Sequence, residues 1–325
     1  MRLNNSKRLW KMSIFTLIAV LCISVLAACG NKEKVVATYT GGEITQDEFN
    51  RELGVMSLLY PEYASVMDMD AFKEYLIKQQ IASEYLYKNK VSAKEKEEGK
   101  RKAEEQLKAM KASVSADQLK KMLDAKKLTE QNLDDYMIRN FAVVQYWSDQ
   151  VKDDEIKAKF EQTKDNYTIA SVRHVLIAFT DANNKTRSKD DALKLAKEVK
   201  AKLDNGADFA AIAKQYSDDP GSKDKGGLYE NTPVGNWVDE FKKAALTLPL
   251  HKISDPIETQ YGYHIMRVES RKETKFEDLT KDQIESIRQL VGSEKMDKFI
   301  ENDLKNMIKK VDLPKSDKSS SSTKK

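Results

Sequence analysis

Two apolar runs, each carrying one histidine, constrain the fold of this chain more than any other feature. SVRHVLIAF begins at Ser171 and QYGYHIMRV ends at Val268. All three histidines, His174, His251 and His264, lie within 171–268, together with four of the six prolines and six of the twelve glycines. Outside those limits Lys, Glu, Gln and Leu recur at helical spacing, so a module of different composition is set into a helical protein.

Inside the module, Ser171 to Phe179 alternates and is rich in β-branched residues, as a strand requires. Residues 190–205 read as a helix with Leu193, Ala196, Val199 and Leu203 inward, stopped at Gly206. Phe209, Ile212, Ala213 and Tyr216 mark a second helix. After the loop YSDDPGSKDKGG, Val238, Phe241, Ala245 and Leu248 mark a third, which ends at Pro249. Residues 253–257 and 263–270 read as strands. This order suits an antiparallel sheet with helices packed around it, an α+β domain.

The flanks are helical. Val35 to Thr40 reads as an edge strand with a turn at Gly41-Gly42. Thr45 with Glu48, Ser92 with Glu95, and Ser115 with Gln118 have the spacing of capping boxes, each opening a helix. A further helix starts near Asp70 and buries Phe72, Leu76 and Ile81, and another spans 129–147 with Leu133, Met137, Phe141, Val144 and Trp147 on one side. Beyond the module, Thr280 and Gln283 repeat the capping spacing, and Ile284, Ile287, Leu290, Met296, Phe299, Leu304 and Ile308 form an apolar stripe. A lone helix cannot bury such a stripe. The expectation is that 271–312 packs back on an N-terminal part at 29–168, making a discontinuous all-α domain with the module, 169–270, inserted. Coiled-coil association is the alternative, and the stripes leave a homodimer open. The tail, 313–325, ends in a Ser/Lys run whose composition suits disorder.

The first eleven residues carry Arg2, Lys7, Arg8 and Lys11 and no acid, and an apolar run from Ile14 to Ala28 follows. That is the pattern of a signal segment, 1–28, and is short for a membrane span. Its end, Leu26-Ala27-Ala28-Cys29-Gly30, resembles a bacterial lipobox, which implies cleavage before Cys29 and acylation of that residue. An uncleaved N-terminal anchor is the alternative. With Cys22 inside the signal and Cys29 acylated, no thiol remains for catalysis or a disulfide. The expected location is the extracytoplasmic face of the cell membrane, held by a diacylglyceryl and N-acyl group on Cys29. Removing the signal's four positive charges from a total of +4 leaves a near-neutral chain. Both signs are interspersed, which argues against a nucleic-acid partner.

The succession RHVLIAF, DFAAIAKQYSDDPGSKDKGG, EFKKAAL and ISDPIETQYGYHI covers nearly all of 171–268 and resembles the parvulin-type peptidyl-prolyl isomerases. With the lipobox, the helical flanks and the tail, the whole chain resembles the lipid-anchored foldases of Gram-positive bacteria. The resemblance implies a parvulin-like sheet inserted in a chaperone-like helical domain. It also implies a catalytic set of His174, Asp219, Thr259 and His264, and a proline pocket of Trp237 and Phe241 with Tyr229 at a pocket position. Where many parvulins read GGDLGWF, this chain reads Gly226-Gly227-Leu228-Tyr229-Glu230-Asn231-Thr232, an altered pocket wall.

The implied partners are unfolded exported proteins, and no cofactor is implied. Three histidines without close ligand spacing make a poor zinc set, so no metal is expected. Each residue also has a plainer reading. Paired histidines can simply hold a sheet, Asp219-Pro220-Gly221 suits a turn, and Trp237 and Phe241 at helical spacing suit a core. At the level of function, a holdase chaperone with a weak or inactive module stands beside the isomerase. A transporter's solute-binding lipoprotein is disfavoured, because 43–150 shows no strand-helix alternation.

Overall fold

The computed structural model describes residues 33–181 and 184–314. The signal segment, Cys29 and the 315–325 run lie outside the described residues. The chain divides into two compact units, one formed up to Tyr146 and again from Asp297, the other by Trp147–Met296.

The first unit opens with β1 (Val35–Tyr39) and β2 (Gly42–Thr45), joined through Gly41 at φ 104°. Then follow α1 (Gln46–Leu59), α2 (Asp70–Asn89), α3 (Ala93–Ser113), α4 (Ala116–Ala125) and the start of α5 (Glu130–Asp149). The helix starts are local in origin. The hydroxyls of Thr45, Ser92 and Ser115 accept the N–H three residues on, while Glu48, Glu95 and Gln118 reach back to accept the cap's own N–H. Each exchange satisfies two donors that a helix start otherwise leaves orphaned. Val55, Ala103, Leu119, Leu123, Leu133 and Met137 join α1, α3, α4 and α5 in one core.

β1 is not the edge strand its sequence suggests. It is the centre of a three-stranded antiparallel sheet, with β2 on one side and a strand at Ile308–Val311 on the other. Ile308, expected in the C-terminal helical stripe, therefore belongs to a ladder. Four residues, IKKV, are too short for a period of 2 to stand out against a helical period.

The second unit contains α6 (Asp153–Thr163), β3 (Ile169–Ala178), α7 (Lys189–Asp204), α8 (Phe209–Tyr216), β4 (Leu228–Pro233), α9 (Asp239–Thr247), β5 (Ile257–Thr259) and β6 (Gly262–Lys272). Its sheet runs β4-β3-β6-β5, antiparallel throughout. Side chains alternate across it. Val175, Ile177, Tyr263 and Ile265 face α7 and α8, packing on Ala196, Val199, Phe209 and Ile212. Ala170, Val172, Met266 and Val268 face the other way, against Val234, Phe241, Ala244 and Ala245 of the α9 layer. At roughly 1.5–3 kcal/mol for each large apolar side chain buried, these two layers fix the sheet. The candidate histidines, His174 and His264, stand on the α9 face, against Phe241.

The unit also holds most of α10 (Lys281–Asn302). Sequence periodicity suggests one helical stripe over 284–308 returning to the N-terminal helices, but the stripe is divided. Ile287 and Val291 pack on Val151, Ile156 and Phe160, whereas Phe299 stacks on Tyr85 in the first unit. The apolar face of α6, which carries Ile156 and Phe160, supplies the nearer cover.

Candidate active site

The β3–β6 ladder pairs His174 with Met266 and Leu176 with His264. The two histidines are thereby diagonal neighbours on one face, within reach of each other. Their rings stack at 5.3 Å with Nδ1 to Nδ1 at 3.1 Å, and both are buried, at 3% and 5% exposure. Gly227 closes over β3 from the loop, its carbonyl accepting the His174 N–H at 2.9 Å. It sits at φ 76°, and a Cβ there would lie 2.3 Å from the His174 carbonyl oxygen, so only glycine fits.

Asp219 follows α8 and is turned back by the Asp-Pro-Gly sequence, its Oδ1 accepting Gly221 N–H at 3.1 Å. Its Oδ2 meets His174 Nε2 at 2.9 Å, accepts the Tyr229 hydroxyl at 3.0 Å and also accepts the Ser222 hydroxyl. Burial opposes the charge on Asp219, but the bonds from His174 and Ser222 outweigh it and hold the carboxyl well below the usual carboxylate range. Burial, then the negative charge of Asp219, pushes the Tyr229 phenol up to about 12. Burial, then the neighbouring His174, pushes His264 down to about 3, so its imidazole is neutral at ordinary pH.

These states assign the protons. The Asp219 carboxylate only accepts, so His174 Nε2 carries a hydrogen, shared with the Ser222 oxygen at 2.9 Å. One proton must lie between the two Nδ1 atoms. Placed on His264, it leaves Nε2 of that neutral ring to accept from the Thr259 hydroxyl at 3.0 Å. Thr259 in turn accepts Tyr261 N–H at 3.2 Å. By this hydrogen-bond logic every donor points one way, from Tyr261 N–H to the Asp219 carboxylate.

Aromatic rings enclose the row. Phe241 stands edge-on to His174 and His264 at 5.1 and 5.2 Å, Trp237 meets Phe241 edge-on at 5.1 Å, and Tyr229 stacks on His174 at 5.5 Å. The structure thus brings together His174, Asp219, Thr259, His264, Tyr229, Trp237 and Phe241. His251 is elsewhere, 67% exposed with Nδ1 3.5 Å from Glu269. Among the described residues no group of three or more His, Cys, Asp or Glu could hold a metal ion. Sequence reasoning missed Ser222, fully buried and bonded to both His174 and Asp219. Its three-residue spacing from Asp219, on the turn side of the loop, was the available signal. It also missed β4. Leu228–Pro233 carries Glu230 and Asn231 with no apolar alternation, and Asn231 takes φ 46°.

A chain that arranges two buried histidines, a carboxylate and a threonine beside packed aromatic rings has relatives. Residues 157–272 match the family described as the PPIC-type PPIASE domain. A protein named Foldase protein PrsA 3 from Bacillus anthracis is 32% identical over 95% of this chain and 94% of its own length. Another of that name, from Bacillus cereus, is 33% identical over 84% and 83%. A crystal structure of the peptidylprolyl isomerase PrsA from Bacillus anthracis is 27% identical, covering 71% of this chain and 96% of that one at a TM-score of 0.42. The chain belongs to the PrsA foldase family and is a peptidyl-prolyl cis-trans isomerase of the parvulin type.

Proposed function

We propose that the chain acts as a membrane-anchored, extracytoplasmic foldase, turning X-Pro bonds of exported proteins with the His174–Asp219–Thr259–His264 row. The observation that carries this reading is the continuous hydrogen-bonded row directly beneath Trp237 and Phe241. Rotation about the imide must break resonance worth about 18–20 kcal/mol, and free X-Pro bonds therefore take roughly 10–100 s to turn. An apolar pocket that grips the proline ring removes water from the imide, and water favours the planar, charge-separated form. The oriented dipoles of the row then favour the twisted imide without reorganising. No nucleophile is required.

In this reading the helical part, 29–168 with 271–312, holds unfolded clients whose X-Pro bonds the 169–270 module turns, and acyl groups on Cys29 keep the protein at the membrane. A homodimer through the helical stripes is compatible with it. The test is the cis-to-trans rate of proline peptides with the full chain, wild type against Asp219→Asn and Phe241→Leu. Asp219→Asn should lose at least about tenfold, as removal of a preorganised electrostatic group does, and Phe241→Leu should also lower the rate by loosening the apolar grip on the proline ring. Unchanged rates in folded variants would overturn the site, and no acceleration by the wild type would leave the holdase reading. Cys29→Ser should release the protein from the membrane fraction, and retention would exclude the lipid anchor.

A further inference from the structure

Three donors converge on Oδ2 of Asp219: His174 Nε2–H, the Tyr229 phenol and the Ser222 hydroxyl. They differ in their surroundings. Tyr229 is partly exposed, so water can stand in for its hydroxyl. Ser222 is fully buried, and solvent offers the partners of its hydroxyl no substitute.

The loop fixes Ser222 independently of its side chain. Its carbonyl accepts Lys225 N–H at 2.9 Å and Gly227 N–H at 2.8 Å, and the Gly227 carbonyl in turn accepts His174 N–H from β3. The hydroxyl is thereby held at one place, 2.9 Å from His174 Nε2 and in hydrogen-bond contact with Asp219 Oδ2. It has a single hydrogen and the carboxylate only accepts, so its O–H points to Asp219 and its lone pairs face the imidazole N–H. One buried hydroxyl thus touches both members of the His174–Asp219 pair.

We propose that Ser222 is a positioning residue of the isomerase site, its hydroxyl locking the Asp219 carboxylate onto His174 Nε2–H and so setting the direction of the donors along the row to Thr259. It acts through Asp219, because it has no exposed surface with which to touch a proline peptide. The inference rests on the reading of the row as the isomerising machinery. A serine that only packs the loop is felt in stability, whereas a positioning serine is felt in turnover and in the protonation of Asp219. The titratable groups facing that carboxyl are His174 on β3, Tyr229 on β4 and, past His174, His264 on β6. A donor to an ionised carboxyl favours the ionised form, so removing the Ser222 hydroxyl raises the pH at which Asp219 takes up a proton.

The full chain, purified in detergent, is assayed on a short proline peptide as wild type, Ser222→Ala, Ser222→Cys, Asp219→Asn and the Ser222→Ala, Asp219→Asn double variant. Both Ser222 variants keep the carbonyl that closes the loop, and cysteine also fills the space while being only a weak donor. Each should lower kcat about tenfold, the effect of losing one hydrogen bond to a charged group, with KM unchanged because Trp237 and Phe241 are untouched. The acid limb of the rate should move up by about one pH unit. In the Asp219→Asn background, Ser222→Ala should lower kcat little further, as expected of two residues that act as one. Should the alanine variant unfold, the cysteine variant carries the rate and pH readouts. A folded cysteine variant with the wild-type kcat and acid limb would overturn the proposal, since filling the space would then suffice. Losses that multiply in the double variant, or a raised KM with kcat unchanged, would overturn it as well. If Asp219→Asn keeps the wild-type rate, the row itself is wrong and the role of Ser222 goes with it; if Asp219→Asn loses activity and the Ser222 variants do not, only the serine is wrong.

Discussion

His264 is the residue at which charge, burial and hydrogen bonding meet. Pushed down to about 3 by burial and by His174, it should show no change in its imidazole NMR signals between pH 8 and pH 5. A midpoint near 6.5 would break the assigned proton row. The depressed value has a consequence for stability. The unfolded chain takes up this proton as pH falls below about 6.5 while the folded chain refuses it until about 3. Stability from His264 is therefore complete above about 6.5 and is lost in acid, at up to about 1.4 kcal/mol per pH unit. His174 and His264 were legible in the sequence because each interrupts an apolar run whose register fixes its face. Ser222 was not, because a serine in a polar loop looks the same whether its hydroxyl meets water or, as here, a half-buried carboxylate.

At the scale of elements, the chain was most readable where a signal is local. The Thr280–Gln283 pair forms the capping exchange its spacing suggests, as do the three pairs in the first unit. β4 was hidden because it is an edge strand held by pairing with β3, its register shifting between Ala170 and Val172, and not by burying alternate side chains. Part of what places it is Gly227, just before its first residue. Gly227→Ala forces a left-handed backbone on a residue with a Cβ and presses that Cβ on the His174 carbonyl. Gly206 has φ 87° but nothing within 4 Å of a Cβ, so Gly206→Ala incurs the backbone strain alone. The expected losses in urea unfolding are about 1–2 kcal/mol for Gly206→Ala and distinctly more, about 2–4 kcal/mol, for Gly227→Ala. Equal losses would mean that the loop moves away from β3 at little cost.

At the scale of the whole molecule, the second unit is one unbroken stretch, Trp147–Met296, and the first is closed only when the chain returns after it. The return is carried by backbone pairing, Ala37 with Val311, Thr38 with Lys310 and Tyr39 with Ile308, and by Leu304, fully buried just before the strand. Sequence patterning could not show this, since a partner about 270 residues away leaves no periodic trace in either strand and four residues carry almost no pattern of their own. Deleting everything after Met307 leaves β1 and β2 as a two-stranded hairpin, which is marginal in water unless packing supports it. It also exposes the hydrogen-bonding edge of β1. The first unit should then lose protection from amide exchange at Val36–Tyr39 and become sensitive to protease, while the proline-peptide rate, which depends on residues of the second unit, stays unchanged. A parallel fall in that rate would show that closure of the first unit is needed for the second to fold. Full protection of β1 in the truncated chain would show that α1 and β2 suffice to hold it.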